Sequence, residues 1–245
     1  MNRRVAGAIG GLLGLAALAA WAIAGTEDGL GSRAAGDRPK LALLTSLPLV
    51  FGEQFGLEAG GSPALTRLEQ RYQVEPIGVA DAASLKGQTR LLMAHPRAQP
   101  AEALVALDRW VRDGGHLLLL ADPRLDWPSE RPLGDMLRPP PAFADTGLLG
   151  HWGLTLGGPA AAGPASYEAG RHLLVTSSPG TLQSNGNCKV DMGRLRARCS
   201  IGKGRVSVVA DGDFLNVSGD SDDRNLGFLI DELDWLDSRQ VHESR

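Results

Sequence analysis

A continuously apolar segment, HLLLLA at residues 116–121, limits the folds open to this chain more than any other part of it. Such a run is typical of a strand covered on both faces in a parallel sheet, because a strand with one exposed face alternates apolar and polar residues. Apolar residues at helical spacing precede it, from Pro100 to the paired glycines Gly114 and Gly115, which are typical of a helix end. This order predicts a layered α/β domain.

Upstream of this segment, strands and helices alternate. Short apolar runs predict strands at residues 41–45, 74–79 and 90–94, and Ser62-Pro63 has the sequence of a helix start, with serine as the N-cap. Strands that alternate with helices form parallel sheets through right-handed crossovers. We therefore expect a mostly parallel open sheet with helices on both faces.

The pattern changes after Asp122. Residues 122–142 contain six prolines and have no hydrophobic period, which predicts a long irregular loop of a kind that usually has a function. A helix is predicted over 143–152, and apolar residues at helical spacing from Leu226 to Leu236 predict a closing amphipathic helix with Asp222 or Asp223 as its N-cap. Between them we predict strands, some antiparallel, at 171–177, 189–192, 195–201 and 205–210.

The N-terminus carries a charge-free apolar run, residues 5–24, which follows Arg3 and Arg4. Its length suits a membrane span, and the arginines would keep its start in the cytoplasm. Ala22-Ile23-Ala24 equally fits a signal-peptide cleavage site. Residues 1–24 are therefore predicted to be a transmembrane anchor or a signal peptide. In either case we expect the chain after residue 24 to be exported. An anchor would give an inner-membrane protein with a periplasmic domain, and a cleaved signal peptide would give a free periplasmic protein.

The remaining boundaries follow from composition. Residues 25–38 are glycine-rich and without period, which predicts a flexible tether; 39–238 form the α/β domain, and 239–245 a disordered tail. The net charge is −3, and −5 without residues 1–24, so we expect no nucleic-acid partner.

The two cysteines, Cys188 and Cys199, flank a predicted hairpin centred on Gly193-Arg194. A two-residue type II′ turn at this centre would place the cysteines directly opposite each other, within reach of a disulfide. Because an exported domain lies in an oxidising compartment, we predict that they form a bridge.

Candidate binding residues are sought in the loops beyond the carboxyl ends of the strands, where open α/β sheets bind ligands. The ionisable side chains there are the candidate ligand-binding or partner-binding residues: Glu53, His95, Asp122, Asp126, Asp211 and Asp213. The simpler alternative is that these aspartates only cap turns by accepting hydrogen bonds from nearby amides. Their spacing matches no calcium loop, and we predict neither a metal nor a cofactor.

Three segments resemble a known family: WVRDGGHLLLLADP (110–123), GKGRVSVVADGDF (202–214) and NLGFLIDELDWL (225–236). They are similar to the domain of gliding-motility-type ABC-transporter auxiliary proteins and related uncharacterised membrane proteins. The resemblance implies a flavodoxin-like fold similar to class I glutamine amidotransferases, without catalysis. The nucleophilic cysteine of those enzymes would lie near Asp122, where this chain has Asp-Pro.

These features predict a non-catalytic, extracytoplasmic accessory or binding domain attached to the inner membrane. Its expected partners are ABC-transporter components or another envelope protein. The alternative is a metal-assisted or carboxylate-dependent hydrolase that uses the strand-end residues.

Overall fold

The computed structural model describes residues 31–51, 61–217 and 222–238. The predicted anchor or signal peptide (1–24), the start of the tether, Glu53 and the predicted tail lie outside these ranges. None of the helices in the described ranges is long and apolar enough to cross a membrane.

Strands and helices follow one another along the chain. The strands are β1 (Lys40–Thr45), β2 (Gln73–Pro76), β3 (Arg90–Ala94), β4 (His116–Leu120), β5 (Leu154–Gly157), β6 (Pro164–Ala169), β7 (His172–Ser177), β8 (Thr181–Ser184), β9 (Cys188–Asp191), β10 (Arg196–Ile201) and β11 (Gly204–Val209). The helices are α1 (Pro63–Glu69), α2 (Ala101–Arg112), α3 (Leu148–His151) and α4 (Asp222–Asp237).

The main sheet has seven strands in the order β2-β1-β3-β4-β11-β10-β9. The pairs from β2 to β11 are parallel, whereas β10 and β9 are antiparallel to their neighbours. Leu117, Leu118, Leu119 and Leu120 in the central strand β4 are fully buried. The mixed α/β fold with a largely parallel sheet is therefore confirmed.

Helices cover both faces of this sheet at β11. A Cβ atom on Gly204 would overlap the carbonyl oxygen of Val111 in α2. Ser207, three residues further along the strand, donates a hydrogen bond of 2.8 Å to Glu232 in α4. Since successive side chains of a strand point to opposite faces, α2 and α4 lie on opposite sides of the sheet.

Glu232 joins α4 to the antiparallel end of the sheet. Its carboxylate is 1 % exposed and accepts bonds from Arg196 at 2.5 Å and Arg198 at 2.7 Å. The Arg198 guanidinium also lies 4.4 Å from the ring centroid of Trp235. Arginines of the hairpin thus hold the closing helix against the sheet.

The predicted disulfide is confirmed. Cys188 and Cys199 are direct partners in the β9–β10 pair and are joined by an S–S bond. The turn lies where it was predicted, because the amide of Leu195 donates to the carbonyl of Met192 at 3.1 Å. The backbone has positive φ at both Gly193 and Arg194, so the turn is of type I′ and the predicted type II′ is wrong.

Several other predictions differ from the structure. The helix expected over 143–152 is a single turn, Leu148–His151, because Gly147 before it has left-handed backbone geometry, with φ of 97°. The strand expected at 74–79 ends at Pro76. Strands β5, β6 and β8 were not predicted; β6 is largely exposed on one face, and short strands with so little buried surface have a weak hydrophobic pattern.

Arg33 attaches the residues before β1 to the domain. Its amide donates to Gln70 at 2.8 Å, its guanidinium donates to Asp234 at 3.3 Å, and it lies 5.1 Å from the ring centroid of Tyr72. Part of the segment predicted as a flexible tether therefore packs on α1 and α4.

Candidate functional site

Two carboxylates follow neighbouring parallel strands at the same edge of the sheet. Strand β4 ends at Leu120 and β11 at Val209, and these two residues are partners in the register. Asp122 and Asp211 each come two residues after these partners and are fully buried. The carboxyl ends of parallel strands thus bring together residues far apart in the sequence, as expected for this class of sheet.

Asp122 uses both carboxylate oxygens to hold backbone. Oδ1 accepts from the amide of Arg124 at 2.8 Å, and Oδ2 accepts from the amide of Gly212 at 2.9 Å. Burial raises the pKa of Asp122 to about 6, against the lowering effect of these bonds. This carboxyl caps one turn and ties it to another.

Asp211 is the most deeply buried of the group. Its Oδ1 accepts from the Thr176 hydroxyl at 2.6 Å and from the amide of Phe214 at 3.1 Å. Its Oδ2 has no hydrogen-bond partner within the described residues. Burial, with the nearby charge of Asp122, raises the pKa of Asp211 well above the usual value. Protonated Asp211 avoids the cost of a buried charge.

Asp126 and Asp213 lie together at the surface end of the cluster. The amide of Asp126 donates to Asp213 Oδ2 at 2.8 Å. Asp126 Oδ2 accepts from the hydroxyls of Ser177 at 2.9 Å and Ser178 at 2.6 Å, and these bonds lower the pKa of Asp126. Burial raises the pKa of Asp213 to about 7. In mildly acidic solution, Asp213 therefore favours the protonated form while Asp126 favours the ionised form.

His95 follows β3 and is fully buried. Its Nε2 lies 2.8 Å from the carbonyl oxygen of Pro140, and its Nδ1 has no partner among the residues that the structure describes. Burial lowers the pKa of the imidazole, which favours the neutral ring. The backbone φ of 47° is left-handed, a strain that the surrounding structure must hold in a residue other than glycine.

The five described candidates form one region, and Glu53 lies outside the described residues. A Cβ atom on Gly212 would contact the Cβ atoms of both His95 and Asp122 at 3.6 Å, so these residues converge around Gly212. Asp126 and Asp213 adjoin this buried group. The alternative that these aspartates only cap turns describes Asp122 well. The Asp126–Asp213 pair, in contrast, also lines a cavity.

That cavity is polar and has a volume of about 250 Å³. It is lined by Asp126, Val175, Thr176, Ser177, Asp213, Asn216 and Asn225. Sequence reasoning missed the contribution of β7: the Thr176-Ser177-Ser178 run at the end of a predicted strand was the available signal. Within the described ranges, no group of three or more His, Cys, Asp or Glu side chains is arranged to hold a metal ion.

Residues 58–229 match the family described as a domain of unknown function, DUF4350. This chain belongs to that family. A search of curated protein sequences gives no match to this DUF4350 member.

Solved structures of similar fold come from proteins of different kinds. An exo-β-1,4-mannosidase, Op5Man5 from Opitutaceae bacterium strain TAV5, is 14% identical with a TM-score of 0.51, over 82% of this chain and 36% of the mannosidase chain. The N-terminal domain of mmIFT52 is also 14% identical with a TM-score of 0.51, over 83% of this chain and 100% of that domain. The DUF4350 chain thus spans about a third of the mannosidase, and at such low identity the two likenesses concern the fold alone.

Proposed function

We propose that this DUF4350 protein is a non-catalytic, extracytoplasmic binding or accessory domain tethered to the inner membrane. In this role it works with ABC-transporter components or with another envelope protein. The strand-end loops and the proline-rich loop 122–142 form the contact surface.

The observation that carries the proposal is the state of Asp122. It occupies the turn after the central strand, and both its oxygens already accept backbone amides. A nucleophile or general base needs an atom that can reach a substrate. The Asp122 side chain is buried and stabilises the loop through these two hydrogen bonds. This edge of the sheet is therefore better suited to ligand binding than to catalysis.

Two features support an extracytoplasmic location. The N-terminal apolar run after Arg3 and Arg4 has the composition of an anchor or signal peptide. The Cys188–Cys199 disulfide is of a kind that persists in oxidising compartments and is rare in the cytosol.

The strand order supports the finer fold assignment. The parallel strands β2-β1-β3-β4-β11 follow the 2-1-3-4-5 order of flavodoxin-like sheets. This order agrees with the amidotransferase-like fold that the resemblance to the gliding-motility-type auxiliary family implies. The transport setting rests on that resemblance.

The test is site-specific crosslinking of the full chain in cells of the source organism. A photoreactive residue replaces Arg124, which is exposed and pairs with Asp126 of the cavity, and the control position is Arg109, which is exposed on α2. We expect a discrete crosslink to an envelope protein from position 124 only. Equal products from both positions, or turnover by the purified full chain, would contradict the proposal.

The second candidate is a carboxylate-dependent hydrolase, and the Asp126–Asp213 pair favours it. Environments that push the pKa values of two neighbouring carboxyls apart are typical of an acid and a base in catalysis. The direct assay uses the purified full chain and chromogenic esters, phosphates and glycosides. Hydrolysis that is lost in both Asp126→Asn and Asp213→Asn, and kept in Asp145→Asn, would establish this alternative.

A further inference from the structure

A second cavity lies at the same edge of the sheet, beyond β1 and β2. It has a volume of about 310 Å³, within the range of small-molecule sites. Its walls are mainly apolar, and the side chains that matter here are Leu43, Leu47, Val50, Ile77, Met136 and Leu137. We call it the β1 groove. None of the candidate residues His95, Asp122, Asp126, Asp211 and Asp213 lines it.

The mouth of the β1 groove exposes large apolar side chains. Phe51 is 77% exposed, Met136 86% and Leu137 53%. Leu133, in the same proline-rich loop, is 80% exposed. Three large apolar side chains left in water at one groove, Phe51, Met136 and Leu137, mark a surface that binds an apolar group.

Two arginines line the groove: Arg131, which pairs with Asp135 at 3.5 Å, and Arg97, which lies at the rim. The Arg97 Nη2 donates to the carbonyl oxygens of Met136 at 2.7 Å and Arg138 at 2.6 Å, which fixes the guanidinium against the loop. Its Nε and Nη1 have no hydrogen-bond partner among the described residues, and no carboxylate in those ranges pairs with it. A fixed guanidinium with free donors is suited to a carboxylate, which it can bind through two parallel bonds.

The groove also lies where the strand order reverses. From β1 the chain continues to β2 on one side, and β3 then pairs on the other side of β1. In open α/β sheets the crevice at such a reversal is the usual ligand position. Residues from the ends of β1 and β2 and from the segment after β3 line the β1 groove.

We propose that the β1 groove binds a single-chain amphiphile, a medium-chain carboxylate whose apolar chain contacts Leu47, Val50 and Met136 and whose head group pairs with Arg97. This inference rests on the proposed role as a binding domain and names a ligand class for it. The apolar walls remove the chain from water, and the arginine selects the anionic head over a neutral one.

The test is photolabelling of the full chain in membrane vesicles. The probes are octanoate and octanamide that carry the same diazirine on the chain, and labelled peptides are mapped by mass spectrometry. We expect labelling in residues 46–51 and 131–138, about tenfold stronger for the carboxylate, as expected for a charge-assisted pair. Excess octanoate should compete.

Arg97→Gln should remove the preference for the carboxylate, and the matched control Arg109→Gln should keep it. Because Arg97 also holds the loop, Met136→Glu is the second variant: it removes one apolar contact from both probes but repels only the carboxylate head group, so it should weaken carboxylate labelling more than amide labelling. Equal labelling by the two probes in the unaltered chain, or labelling elsewhere, overturns the inference. If the crosslink from position 124 persists in that case, only this inference fails; if it is absent too, the proposed function fails with it.

Discussion

The side chain of Asp122 and the backbone amide of Gly212, ninety residues apart in the sequence, are joined by a buried hydrogen bond of 2.9 Å. The bond connects the turn after β4 to the turn after β11. Because the same carboxylate also accepts from the amide of Arg124, it holds the start of the proline-rich loop against the sheet edge. Both proposed binding regions border this loop.

Replacement of Asp122 by alanine should therefore destabilise the domain. Two backbone amides would lose their acceptor, at about 1–3 kcal/mol for each buried group left unsatisfied, less the cost of the buried charge that is removed. We expect a net loss of about 2–4 kcal/mol in the free energy of unfolding, measured by urea denaturation. Asp145→Ala is the matched control, because exposed Asp145 accepts from the amide two residues later in the same way and should cost under about 1 kcal/mol. Equal losses in both variants would show that Asp122 has no special role.

The buried carboxyls should make the domain more stable in mild acid than at neutral pH. The pKa is about 6 for Asp122 and about 7 for Asp213, above the ordinary value of 3.8. A carboxyl whose pKa is raised by folding stabilises the folded state when protonated, and this contribution is lost as the pH rises through the folded value. The raised pKa of Asp211 acts in the same direction. The free energy of unfolding should fall by a few kcal/mol between pH 4.5 and 8.

Urea denaturation at several pH values checks this, and Asp213→Asn should flatten the part of the decline around pH 7. Asp145→Asn should leave the profile unchanged. Carboxyls with a lowered pKa, such as Asp126 and Asp108, lose their stabilising effect only in stronger acid. A stability that increases from pH 5 to 8 would contradict the burial of these groups.

The disulfide should stabilise the domain by about 2–3 kcal/mol, because it closes a loop of eleven residues in the unfolded chain. The double variant Cys188→Ala/Cys199→Ala should unfold at correspondingly lower urea. Reductant should lower the stability of the unaltered protein by a similar amount and leave the double variant unaffected. A response of the double variant to reductant would disprove this origin of the effect.

Glu232→Gln should lower the free energy of unfolding, because Arg196 and Arg198 would both lose their shared buried counter-charge. Loss of one member of a buried ion pair typically costs about 3–5 kcal/mol; since Asp191 still pairs with Arg196 at 2.8 Å, we expect about 2–4 kcal/mol. The neighbouring Asp231→Asn is the matched control. Asp231 is about a third exposed where it pairs with Arg171 at 3.0 Å and His172 at 3.1 Å, and its replacement should cost under about 1 kcal/mol by the same denaturation measurement.

Local patterns were sufficient for much of the fold. The run at 116–121, the Ser62-Pro63 start and the Gly114-Gly115 end each predicted an element that the structure contains, because burial and capping depend on neighbouring residues. The cysteine pairing followed from hairpin register together with the oxidising compartment expected for an exported domain. Strands β5, β6 and β8 escaped prediction because their few buried side chains have little periodicity.

The candidate sites depended on contacts between distant segments. Sequence reasoning could place aspartates at strand ends, but only packing brings the amide of Asp126 to Asp213, 87 residues away, and the hydroxyl of Ser178 to Asp126. The β1 groove likewise combines the ends of β1 and β2 with residues of the proline-rich loop that follows β4. Hydrophobic period and turn chemistry are encoded over a few neighbouring residues, whereas a cavity and a shifted pKa arise from the burial that the assembled sheet imposes.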